Sequence, residues 1–141
     1  DMNFLSVLQY AVDVLEVKQI IVCGHHGCGG VRAALSHQAL GLIDNWLRAI
    51  KALYHQSLPL FEGLEGEDRV NLLCELNVMR QVRNVCHTTI VQNAWARGQE
   101  LAVHGWIYGL QDGLIKDLET SLHCPQQLDE TFLYNAWMQK P

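Results

Sequence analysis

The sequence predicts an α/β domain spanning residues 1–141, with a central, mostly parallel β-sheet flanked by helices, and three observations lead there. First, Ile20-Ile21-Val22-Cys23 is a β-compatible apolar run that stops at the glycine-rich stretch Gly24 to Gly30. Val31-Arg32-Ala33-Ala34-Leu35 follows, so the segment reads as strand, tight loop and helix start. Second, long stretches between residues 40 and 97 carry apolar residues at helical spacing. Third, a further strand-like run, Leu101 to Tyr108, comes after them and leads into a turn. No internal repeat, low-complexity tract or linker divides the chain, which is why a single domain is expected.

The elements follow in order. Residues 4 to 17 are apolar almost all round (Phe4, Leu5, Leu8, Ala11, Val12, Val14, Leu15), which predicts a helix buried on several sides and lying under a subunit interface. A strand covers 19 to 23, and Gly29 to Leu35 opens a helix. Leu40 to Tyr54 makes another, with Leu42, Ile43, Trp46, Leu47 and Ile50 on one face, before Pro59 and the Gly63 to Gly66 stretch form a loop. From Glu67 to Gly98 the residues Leu72, Leu73, Leu76, Met79, Val82, Val85 and Cys86 recur at helical spacing. A break is expected near His87-Thr88-Thr89, then Ile90 to Arg97 resumes and Gly98 terminates. Leu101 to Tyr108 is a strand, Gln111-Asp112-Gly113 is a turn, and Leu114 to Leu118 returns as the second strand of a hairpin at a sheet edge. After Pro125, Gln126 to Met138 closes the chain as a helix.

Composition narrows the function. With 49% hydrophobic and 18% charged residues, 141 residues suffice to bury a real core. A formal charge of -5 and no basic cluster argue against nucleic acid or an anionic membrane as partner, and suit a small neutral or anionic metabolite. The longest apolar runs are broken by charged residues, so no membrane span is expected. Five scattered cysteines (Cys23, Cys28, Cys74, Cys86, Cys124) do not make a secreted disulfide framework and place the expected compartment in the reducing cytoplasm.

The chemistry concentrates at His25 and Cys28, an imidazole and a thiol three residues apart at the carboxyl edge of the predicted sheet, where open α/β sheets place their sites. Gly24, Gly27, Gly29 and Gly30 let the backbone turn sharply enough to bring both side chains toward one point, and together they make half of a tetrahedral zinc site. The amides of Gly29 and Gly30 open the next helix and are placed to hold an anion beside the metal. Cys23 is a rival ligand, since a structural or redox zinc module could use Cys23, His25 and Cys28, but strand alternation is expected to turn it into the sheet core. His26 is the other rival, with proton exchange as a solvent-facing histidine its alternative role. Cys74 and Cys86 are expected as core thiols, His104 as a hydrogen-bonded strand histidine, and His37, His55, His87 and His123 as surface or helix-end residues. Trp46, Trp95, Trp106 and Trp137 are expected to supply packing area.

These residues carry a resemblance. Cys23-Gly24-His25-His26-Gly27-Cys28-Gly29-Gly30-Val31, with the upstream run Ser6 to Leu15, resembles the β-class carbonic anhydrases of bacteria and plants. Gly41 to Leu47, Cys74-Glu75-Leu76-Asn77-Val78 and His104 to Gly109 are similar to further segments of that family in the same order. The family holds zinc with the His and Cys of this loop, a Cys from an upstream Cys-x-Asp-x-Arg motif, and either water or that Asp. No Cys-x-Asp-x-Arg occurs here, and the chain opens Asp1-Met2-Asn3, so it is expected to be the trailing part of a longer polypeptide lacking the N-terminal third of the family domain.

The resemblance implies Zn2+ as cofactor, held in part by His25 and Cys28, and reversible hydration of carbon dioxide to bicarbonate and a proton. It implies catalytic-cleft roles for Tyr10, which lines the cleft of a neighbouring subunit, and for Gly29. It also implies a homodimer or homotetramer, and a role for Tyr108 in binding an inhibitory bicarbonate away from the metal, although the Trp and Arg partners used by that subgroup are absent. A truncated or degenerate relative that keeps the fold and interface but binds zinc poorly is the alternative.

Overall fold

The computed structural model describes residues 1–128; the predicted helix Gln126 to Met138 lies outside the described residues, apart from a single 3₁₀ turn at Pro125–Gln127. The elements are α1 (Met2–Gln9), β1 (Gln19–His25), α2 (Gly29–Leu35), α3 (Ile43–Gln56), α4 (Gly66–Cys86), α5 (Thr89–Ala96), β2 (Ala102–Tyr108) and β3 (Ile115–Asp117). The α/β expectation is met by a three-stranded sheet in the order β1-β2-β3. The Ala102 N–H donates to Lys18 O near the start of the β1-β2 pair and the His26 N–H to Tyr108 O near its end, so those strands run parallel. β2 and β3 pair antiparallel, Trp106 with Asp117 and Tyr108 with Ile115, which is the predicted hairpin and makes the sheet mixed. Its turn places Gly113 at φ +72, a left-handed conformation that glycine adopts without strain, while Asp112 Oδ1 accepts the Leu114 N–H at 3.0 Å.

The described residues form two compact units, neither a continuous stretch of chain. The first takes in residues 1–22, 80–105 and the segment from Glu119. Its core joins Leu8 of α1, Val12, the end of α4 (Val82, Val85, Cys86), α5 (Val91, Ala94, Trp95), Leu101, and Val103 of β2, with Leu128. α1 does not run straight to residue 17. It passes at Tyr10 into a five-residue π-helical segment, Tyr10–Val14, and ends at Glu16, φ 51. The α4–α5 break falls where it was expected: Thr88 takes an extended backbone, and its Oγ1 accepts the Val91 N–H at 3.3 Å. Gly98, φ +80, stops α5. Trp95 Nε1 donates to Leu101 O at 2.8 Å, so the buried indole packs without losing its polar partner. His104 is the hydrogen-bonded strand histidine expected, between Ser121 Oγ at 2.7 Å and Gln19 Oε1.

The second unit comprises residues 23–79 and 106–118. Val31 and Ala34 of α2, Leu47, Ile50 and Leu53 of α3, Phe61, Val70, Leu73, Cys74 and Val78 of α4, and Ile107 of β2 are buried there. The stripe of α3 differs from the one expected. Leu47, Ile50 and Leu53 are covered, whereas Leu42, Ile43 and Trp46 stay exposed, because the helix starts at Ile43 and its first turn reaches past the packed face. Tyr54 packs edge-on against Phe61 at 4.9 Å between centroids, with the Arg69 guanidinium over its ring at 5.5 Å and hydrogen-bonded to its hydroxyl.

Strand β1 corrects one expectation. Cys23 is exposed rather than packed in the sheet core. Alternation holds, but it sends Ile20 and Val22 to the covered side and Gln19, Ile21 and Cys23 to a face on which Ile21 is 48% exposed. Alternation fixes which residues share a face, not which face is buried.

Candidate functional site

β1 ends at His25, and α2 begins at Gly29 with Cys28 as its N-cap, so the two predicted metal donors bracket a two-residue link, His26-Gly27. Gly27 sits at φ +67, the left-handed region where a side chain is strained, and this allows the reversal of direction within so short a link. Gly24 serves a different need. A Cβ there would stand 2.5 Å from Val78 Cγ2 and 3.3 Å from Ile107 Cδ1, so its missing side chain lets the end of β1 approach α4 and β2.

His25 Nδ1 lies 2.9 Å from the carbonyl oxygen of His26. A carbonyl only accepts, so Nδ1 carries the proton and Nε2 keeps the lone pair a metal takes. Cys28 is half-buried. A Cβ built on Gly30 would lie 3.9 Å from Cys28 Sγ and 4.0 Å from Trp46 Cζ3, so the sulfur and the exposed indole flank the same glycine. The donor types suit zinc: one imidazole with its second nitrogen engaged and one thiol. Their number does not complete a site, for no group of three or more His, Cys, Asp or Glu side chains stands together among the described residues. Cys23 therefore joins no three-donor cluster with them.

Around this loop α4 supplies partners that the sequence did not signal. The Gly27 N–H donates to Asn71 Oδ1 at 2.9 Å, and His26 Nε2 lies 3.0 Å from Glu75 Oε1, which Lys116 Nζ of β3 also approaches at 3.1 Å. His26 is thus half-buried and tied to a carboxylate rather than free in solvent. Burial pushes the Cys74 thiol up, opposed by a hydrogen bond from the Cys28 N–H. Asn71, Cys74 and Glu75 lie one helical turn apart, yet 44 and 49 residues separate Asn71 and Glu75 from their loop partners. No local pattern in the letters reports such pairs. His26, Gly27, Asn71, Gly109, Gln111 and Asp112 line an adjoining cleft of about 230 Å3. At its rim Arg32 pairs with Glu67 at 2.7 Å and holds that carboxyl below its usual range.

Of the remaining predicted residues, Gly29 is the first of α2, in open space where a Cβ would meet nothing within 4 Å. Tyr108 joins the loop through its backbone oxygen, which accepts the His26 N–H at 3.0 Å, while its hydroxyl lies over Gly113. His25, Cys28, Gly29 and Tyr108 fall in one compact unit. Tyr10 belongs to the other, 57% exposed at the start of the π-helical segment. Cys74 and Cys86 are buried as expected, and no helix among the described residues is long and apolar enough to cross a membrane.

Comparison with known proteins bears directly on this loop. The family model for carbonic anhydrase matches residues 1–115, a span that takes in β1, the His25–Cys28 loop and β2. A carbonic anhydrase of Emericella nidulans is 44% identical over 119 residues, covering 84% of this chain and 52% of that protein. A Coccomyxa β-carbonic anhydrase, solved with acetazolamide, superposes with a TM-score of 0.84 at 39% identity, covering 89% of this chain and 58% of that one. A tetrameric β-carbonic anhydrase of Sordaria macrospora gives 0.79 at 32% identity, over 86% and 62%. The chain spans about half the length of the curated relatives it matches. With the fold shared with solved β-carbonic anhydrases and a family match over most of its length, this chain belongs to the β-class carbonic anhydrases.

Proposed function

We propose that the protein containing this chain catalyses the zinc-dependent, reversible hydration of carbon dioxide to bicarbonate and a proton, with His25 Nε2 and the Cys28 thiolate as two of the zinc donors. The observation that carries the reading is the His25 Nδ1 bond to the His26 carbonyl, which prepares the other nitrogen for a metal within a loop that also presents a thiol. The remaining protein donor comes from residues other than those described, since these offer no third. Zinc bound there supplies the Lewis acidity that lets water act as a nucleophile near neutral pH.

The chain's own residues do the positioning. Gly27 turns the backbone between the donors, His25 Nδ1 keeps its proton on the His26 carbonyl, and Gly29 sets the first turn of α2 next to Cys28. Tyr10, exposed on its unit, lines the cleft of a neighbouring subunit in this reading. Tyr108 is the residue assigned to a regulatory bicarbonate. The protein works as a homodimer or homotetramer: Met2, Phe4, Val7, Val14 and Leu15 all lie exposed at one end of the chain, an apolar surface that a second copy would cover, and the Sordaria relative is tetrameric. We place it in the cytoplasm, where its five free cysteines stay reduced.

A second reading is favoured by the donor count: a relative that keeps the fold and interface but holds zinc poorly, because two protein donors alone bind weakly. Zinc content measured with stopped-flow carbon dioxide hydration on the full natural polypeptide decides between them. The enzyme gives about one zinc per subunit and turnover that His25→Ala abolishes, whereas the degenerate relative gives neither zinc nor turnover. Zinc without turnover would contradict both and leave a structural metal module.

A further inference from the structure

We propose that Asn71 and Glu75 of α4 are positioning residues that set the metal affinity of the His25–Cys28 loop, an inference that rests on the zinc reading above. They stand at i and i+4, so they share one face of α4, and each engages a different residue of the loop. Glu75 takes the His26 ring at 3.0 Å and Asn71 takes the Gly27 N–H at 2.9 Å. From the other side the Tyr108 carbonyl takes the His26 N–H, and Lys116 of β3 steadies Glu75 at 3.1 Å. Two consecutive loop residues, His26 and Gly27, are therefore fastened to a single helix face, and the donors at 25 and 28 flank the fastened segment.

The loop needs such fastening. Gly24, Gly27, Gly29 and Gly30 give this stretch more conformational freedom than any other residues would, and each glycine must be ordered before a metal finds its donors together. Fixing the loop beforehand removes that cost from metal binding, the general route by which preorganisation raises affinity. Asn71 is the sharpest case. Its side-chain oxygen meets the amide of the one left-handed residue in the link, where neither the β1 ladder nor the first turn of α2 supplies an acceptor. Glu75 contributes differently, through a side chain adjoining His25, and its second partner keeps it in place when the loop moves.

The test uses the full natural polypeptide and five variants: Asn71→Ala, Asn71→Asp, Glu75→Ala, His25→Ala and Thr88→Ala. Zinc affinity is read by competition with a chromophoric chelator, the urea midpoint reports fold stability, and amide hydrogen exchange at Gly27 and Cys28 is followed in metal-free protein. Asn71→Ala and Glu75→Ala should each weaken zinc binding roughly 10- to 100-fold, the usual effect of losing a partner that orients a ligand. Asn71→Ala should also speed exchange at Gly27 in the metal-free protein, and Asn71→Asp, which keeps the acceptor oxygen, should restore most of both. Thr88→Ala, distant in sequence and altering a helix cap, should lower the urea midpoint without moving zinc affinity, which separates positioning from general destabilisation. If Asn71→Ala and Glu75→Ala hold zinc as tightly as the parent while His25→Ala loses it, the positioning proposal is overturned and the zinc reading stands. If His25→Ala also keeps its zinc, the zinc reading falls and takes this proposal with it.

Discussion

Gly24 and Cys86 show how single side chains set the tolerance of this fold. Gly24→Ala would put a methyl group 2.5 Å from the branched, rotamer-locked Val78, so it should destabilise by about 1–3 kcal/mol as overpacking does. The clash is specific, and combining it with Val78→Ala should cost less than the sum of the two single changes in urea midpoints. Additive losses would mean that strain at Gly24 lies elsewhere. Cys86 is a thiol without water, and burial pushes its pKa up to about 12 from 9.0. The native state then binds a proton that the unfolded chain releases above pH 9.0, so stability falls as pH rises from there toward about 12. The full effect is at most about 4 kcal/mol. Cys86→Ala lacks this group, so its stability deficit against the parent should shrink across that interval, as urea midpoints at rising pH would report. A constant deficit would show that the thiol does not titrate through burial. At the candidate site, the strand-loop-helix turn that carries His25 and Cys28 was legible because its glycine spacing is local. Asn71 and Glu75 stayed hidden because their partners lie across the fold, and Cys23 was placed on the wrong side because alternation does not say which face is covered.

At the scale of elements, the boundaries that held are those with a local physical signal. The α4–α5 break rests on Thr88, whose Oγ1 accepts the Val91 N–H and donates to Val85 O at 2.7 Å, so one hydroxyl closes one helix and opens the next. Thr88→Ala should cost about 1 kcal/mol in a urea titration, and Thr88→Ser should recover most of it. An unchanged midpoint would mean that core contacts alone fix the break. The hairpin was legible for a similar reason: Gly113 and Asp112 carry the turn in their own chemistry. Two features were not. The π-helical segment at Tyr10–Val14 follows from packing rather than from a propensity the residues announce, and the buried stripe of α3 depends on where the helix begins relative to its neighbours.

For the whole molecule, the apolar exposure of Val7 at 70% and Val14 at 62% is a feature that association would remove. Val7→Glu should therefore shift the sedimenting species toward monomer while the circular dichroism of the fold is kept, and an unchanged assembly would place the interface on another surface. The proposed function rests on whether His25 and Cys28 bind one metal ion together with a donor from outside the described residues. Cobalt substitution asks this most directly, because a thiolate on Co2+ gives a charge-transfer band and the visible spectrum reports the coordination number. The cobalt-loaded full polypeptide should show a four-coordinate spectrum, with Cys28→Ser weakening the thiolate band and His25→Ala altering the visible transitions. Spectra identical to the parent in both variants would contradict metal binding by this loop, since the ion would then be held without either side chain.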